Sequence, residues 1–116
     1  MMHSMRREAL VQYIADRQKD GERYTTADLQ AFLVEKGLGF SGDRPEVSIW
    51  SVLRDGQFKR VLRIVHGCQI ERLGREEGTG EVGARRMIMR TIECAALAKD
   101  AVDANVNAKT ELASWL

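Results

Sequence analysis

Between Arg54 and Arg75 the chain carries six cations, Arg54, Lys59, Arg60, Arg63, Arg72 and Arg75, against two acids, Asp55 and Glu71. The protein as a whole has a formal net charge of only +1, so this is a local concentration rather than a global excess. Residues 1–75 hold 13 Lys/Arg and 10 Asp/Glu, while residues 76–116 hold 5 and 7. Clustered guanidinium and ammonium groups attract phosphate, because each contact releases condensed counterions. The plainer use of the same residues is to solvate the outer face of a sheet.

Other chemistry-bearing residues do not assemble into a reactive set. His66 and Cys68 make a His-x-Cys pair, but two ligands are too few for a zinc site. They read as a turn histidine and a strand cysteine. Asp100 and Asp103 are near neighbours on a helical pattern and read as solvated charges rather than a cation site. No Ser/His/Asp set, phosphate loop or paired carboxylates with a base can be traced, so an enzyme is not expected, nor is a cofactor. Cys68 and Cys94 are too few for a disulfide framework. The start "MMHSMRREAL" lacks the apolar run of a secretory signal, and no stretch approaches the roughly 20 apolar residues of a membrane span. A cytoplasmic protein without membrane contact is expected.

Several elements must hold these residues. An amphipathic first helix is predicted over about Ser4–Asp20, with Leu10, Val11 and Ile14 on one side and Gly21 as its stop. "ERYTT" offers a short extended piece. The sequence "TTAD", Thr25 to Asp28, is a variant capping box and opens a second helix over about 26–36. Leu29, Phe32 and Leu33 are its apolar stripe, and Gly37 with Leu38 ends it. Pro45 suits the first turn of a third helix running to about Asp55, with Gly56 as its stop. Trp50, between Ile49 and Leu53, belongs to the core.

Beyond Gly56 the pattern reads as a β-hairpin: Phe58–Ile64, a turn with Gly67, then Gln69–Leu73. Four glycines in Gly74–Gly83 mark a linker, assigned to residues 75–83. Residues 84–116 have no glycine or proline after Gly83 and are rich in alanine, which predicts one long helix or two shorter ones. Ile88, Ile92, Val102 and Val106 form its apolar stripe. With Trp115 and Leu116 they predict a homodimer seam, the alternative being a segment that folds back to complete the core. The fold class expected is α+β: mainly helical, with one small hairpin and a C-terminal helical segment.

The stretches "YTTADLQAFLVEKGL" and "PEVSIWSVLRDGQFKRV" resemble the second and third helices of the winged helix-turn-helix domain, the latter running into a wing. The resemblance covers residues 5–74. It implies a DNA-binding transcriptional regulator of bacterial or phage type, with the third helix in the major groove of double-stranded DNA. Arg44, Ser48, Ser51 and Arg54 would then face the bases, while Lys59, Arg60 and Arg63 on the wing hold phosphates and His66 sits at its tip. A dimer would place two such helices on successive half-sites. Serine is a thin vocabulary for reading bases, and a scaffold does not fix its use. The alternative is therefore a protein-binding inhibitor or adaptor built on the same domain.

Overall fold

The computed structural model describes residues 2–77 and 85–94. The fold is α+β. Its elements are α1 (Met2–Asp16), β1 (Arg23–Thr25), α2 (Thr26–Glu35), α3 (Pro45–Arg54), α4 (Gly56–His66), β2 (Cys68–Glu77) and β3 (Arg85–Glu93). The strands form one antiparallel sheet in the order β1-β3-β2.

The first three helices follow their local signals. In α2 both arms of the capping box are made: Thr25 Oγ1 accepts from the Asp28 amide at 3.2 Å, and Asp28 Oδ2 accepts from the Thr25 amide at 2.8 Å. At its other end Gly37 adopts φ +72°, the Leu38 amide donates to Leu33 O and the Gly37 amide to Val34 O. That is the paired closure that left-handed glycine allows. Pro45 opens α3, which ends at Arg54. Helix α1 ends at Asp16, earlier than Asp20, and the chain leaves it through hydrogen-bonded turns to Gly21.

The segment after α3 departs from the predicted hairpin. Phe58–Ile64 is helical, not a strand. Asp55 caps α4 by accepting from the Gln57 amide at 3.0 Å, and Gly67, at φ +64°, closes it with its amide on Arg63 O and Leu62 O. Phe58, Val61 and Leu62 are buried while Lys59, Arg60 and Arg63 are exposed. The apolar period is therefore three to four, not two, and burying that stripe selects a helix. Gly56 is the first residue of α4 rather than a stop.

The hairpin is instead β2 with β3. Arg75–Glu77, predicted as linker, continue β2. Residues 85–93, predicted as helix, form the central strand: Met87, Met89 and Thr91 are buried, and the residues between them are not. Ile88 and Ile92 thus lie half-buried on the other face of a strand, not on a helical dimer seam. Val102, Val106, Trp115, Leu116, Asp100 and Asp103 lie outside the described residues.

One core joins the layers, with Leu10, Ile14, Leu33, Ile49, Phe58 and Met89 fully buried between helices and sheet. The loop that places α3 is clamped from two sides. Gln30 Nε2 donates to Phe40 O at 3.0 Å, and Gln30 Oε1 accepts from the Phe40 amide at 3.1 Å. From α1, Arg6 Nε donates to Leu38 O at 2.7 Å and Nη2 to Gly39 O at 3.3 Å, with the guanidinium 4.1 Å from the Phe40 ring centroid. Arg6 is 8% exposed, a cation drawn into the interior by two carbonyls and a ring face.

Candidate nucleic-acid interface

From Arg44 to Arg75 the chain contains seven basic residues, and all seven are exposed: Arg44, Arg54, Lys59, Arg60, Arg63, Arg72 and Arg75. Three elements position them. Arg44 precedes α3 and Arg54 ends it. Lys59, Arg60 and Arg63 occupy the solvent side of α4, since the helical period puts Phe58, Val61 and Leu62 inside. Arg72 and Arg75 belong to β2.

The three acids in the same span are all engaged. Glu46 Oε1 lies 3.6 Å from Arg86 Nε, tying the start of α3 to β3. Glu71 stands opposite Arg90 in the β2–β3 register and takes a two-pronged contact from it, at 3.1 and 3.3 Å. Both pairs are partly solvated, so they add little to stability; their electrostatic effect is to offset carboxylates beside the cations. Asp55 spends an oxygen as the cap of α4.

The predicted reading face is only partly available. Val47 and Ser51 are exposed, and Ser48 is half-buried. The Ser51 hydroxyl donates to Val47 O at 3.1 Å, so its proton is committed to its own helix. Ser51 also borders a cleft of about 200 Å³ with Arg6, Arg7, Phe40, Val52 and Asp55, on the α1 side of α3. The cations gathered on α4 therefore form the larger feature, with α3 beside them.

His66 is not at a wing tip. It is the last residue of α4 and is half-buried. Burial lowers its pKa from the ordinary imidazole value, against a weaker opposing pull from Asp16 on α1, and so disfavours the charged form. The predicted site therefore loses His66 and gains Arg72 and Arg75. Both were already visible in the charge tally of the sequence.

Comparison with known proteins finds no match among protein-family models, curated proteins or solved structures. The geometry stands alone as the guide to function.

Trp50 completes the surface. It is half-buried against the core, and the Arg72 guanidinium lies 5.7 Å from its ring centroid. That contact joins α3 to β2. Among the described residues no group of His, Cys, Asp and Glu could hold a metal ion, and no helix is long and apolar enough to cross a membrane. Cys68 is a core thiol whose burial pushes its pKa up to about 11, which leaves it protonated and unreactive at neutral pH.

Proposed function

We propose that the α3–α4–β2 surface binds double-stranded DNA, as the DNA-binding domain of a regulator of bacterial or phage type. The observation that carries this reading is the exposure of all seven basic side chains between Arg44 and Arg75 while the intervening acids are paired or used as a cap. The element order and the β1-β3-β2 sheet resemble a winged helix, with an additional helix, α4, placed before the wing strands.

In this reading α4 supplies most of the phosphate contacts, and α3 contributes through Arg44 and Arg54. Phosphate contacts position a protein on a duplex and base contacts specify the sequence. With few polar side chains free on α3, affinity here is mainly electrostatic and sequence preference is modest.

The test is fluorescence anisotropy with a labelled duplex over a salt series. The wild-type protein binds at low salt, and log K falls linearly with log salt. The K59A/R60A/R63A variant loses about 2.7 from that slope, at about 0.9 per phosphate contact removed. A wild-type protein that binds no duplex at low salt rules the reading out.

A further inference from the structure

Among the described residues strand β2 lies at the edge of the sheet, with β3 as its one neighbour. The pairing reveals which backbone groups face outward. The Cys94 amide donates to Gly67 O at 2.8 Å, which makes Gly67/Cys94 a hydrogen-bonded pair one step before the Cys68–Glu93 register. Bonded and non-bonded pairs alternate along an antiparallel ladder. Gln69/Ile92 and Glu71/Arg90 are then bonded pairs. Cys68, Ile70 and Arg72 turn their N–H and C=O groups away from β3, toward the open edge.

A cleft of about 200 Å³ lies at this edge, lined by Leu53, Lys59, Leu62, Arg63, Gln69 and Ile70. Gln69 and Ile70 project from opposite faces of the strand, so a cleft touching both runs along the edge rather than over one face. Leu53 and Leu62, at 2% and 1% exposure, form an apolar floor. Lys59 and Arg63 stand one helical turn apart on α4 and form a cationic rim. Ile70 lines the cleft and also turns its backbone groups to the edge.

We propose that this cleft binds an extended acidic segment of a partner protein, which adds to β2 as a further strand. An apolar side chain of the segment packs on Leu53, Leu62 and Ile70. A carboxylate two residues away shares that face, roughly 7 Å along, and meets Lys59 or Arg63. The register break between Arg72 and Gly74 ends the regular edge, so about five residues of ligand can pair. A second copy of β2, which carries Glu71, Glu76 and Glu77 as well as Arg72 and Arg75, is the competing occupant, and self-association without any peptide would reveal it. Duplex DNA can use those two cations but has neither a peptide edge nor an apolar anchor to offer. Since Lys59 and Arg63 serve both surfaces, the peptide and DNA exclude each other; the peptide site itself does not depend on DNA binding.

The probe is acetyl-Thr-Glu-Thr-Ile-Thr-amide, titrated into the ¹⁵N-labelled full chain and followed by NMR without DNA. Saturable shifts are expected at the amides of Gln69, Ile70 and Arg72 and along α4, with a dissociation constant at or below ~1 mM. The K59A/R63A variant, checked for an otherwise unchanged spectrum, binds at least about tenfold more weakly, and a probe with Lys in place of Glu does not bind. Of two probes N-methylated at successive amides, one is expected to lose binding and the other to keep it, because only alternate amides of an added strand face β2. Absence of saturable shifts overturns the proposal. So does equal binding by both N-methylated probes, which marks simple charge attraction. Concentration-dependent shifts of β2 without probe assign the edge to a second copy and also overturn it. Failure to bind DNA and failure to bind the probe are thus separate results.

Discussion

The Tyr24 hydroxyl donates to Thr91 Oγ1 across 2.8 Å. The direction follows from the next bond, in which Thr91 gives its single hydroxyl proton to Ile14 O at 2.7 Å and can therefore only accept from Tyr24. The chain ties β1, β3 and the end of α1 together through buried polar atoms. It is the point where the sheet is fastened to the helical layer.

Thr91→Val leaves both the Tyr24 hydroxyl and the Ile14 carbonyl without this partner. Tyr24→Phe removes a donor but leaves the Thr91–Ile14 bond intact. An unsatisfied buried polar group costs about 1–3 kcal/mol, so Thr91→Val is expected to destabilise more than Tyr24→Phe, which should cost about 1 kcal/mol. Urea unfolding of both variants checks the order. Equal losses would show that the two bonds are not linked in this way.

Alkaline pH should weaken the fold through the same region. Burial pushes the Tyr24 pKa up to about 12 and the Cys68 pKa up to about 11. Folded-state values raised above the unfolded ones mean that the native state holds these protons longer, so stability falls as pH rises. The loss begins near the ordinary thiol value, 9.0, continues through 10.0 as unfolded tyrosine ionises, and levels off near pH 12. Unfolding midpoints across this range check the slope. Tyr24→Phe should flatten its upper part.

Arg6 and Gln30 hold adjacent residues of the α2–α3 loop and share Phe40, which Gln30 bonds through the backbone and Arg6 covers at the ring, so their effects should not add. Each alanine variant loses buried or part-buried contacts to Leu38, Gly39 or Phe40 and should cost about 1–3 kcal/mol, Arg6→Ala more than Gln30→Ala. The double variant is expected to differ from the sum by 0.5 kcal/mol or more, as groups sharing a partner do. A thermodynamic cycle in urea measures the coupling. Arg6→Lys should recover little, because a lysine cannot reproduce the forked contact with two carbonyls.

Asp55 separates two roles that one substitution can distinguish. Asp55→Asn keeps a good helix cap while removing the one exposed acid between Arg44 and Arg75. Stability should hold within about 0.5 kcal/mol, and duplex affinity at low salt should rise. Asp55→Ala removes the cap and should cost about 1 kcal/mol. Thermal melts and anisotropy on the same samples read both effects. A fall in affinity for the Asn variant would count against the DNA reading.

Much of the helical layer was legible in the sequence because its signals are local. The Thr25–Asp28 box, the Gly37–Leu38 closure and Pro45 each act within one turn of the backbone, so neighbouring residues suffice to read them. The same kind of signal was present for α4, in Asp55 before it and Gly67 after it, with Phe58, Val61, Leu62 and Val65 at helical spacing. Its short apolar runs also admitted a partial alternation, which suggested a strand. The charge cluster was likewise readable, although its carriers moved from a wing to a helix.

What the residues determined by themselves was where α2 begins and ends, where α3 begins, and where positive charge gathers along the chain. The identity of 85–93 was decided only in three dimensions. Ile88 and Ile92 are four apart and suit a helix, while Met87, Met89 and Thr91 suit a strand, and nothing nearby chooses between them. The choice comes from Tyr24 pairing with Met89 and Glu71 with Arg90, contacts far apart in sequence whose backbone hydrogen bonds and buried side chains exist only once the sheet has closed. The open edge of β2 and the cleft beside α4 arise from that same closure.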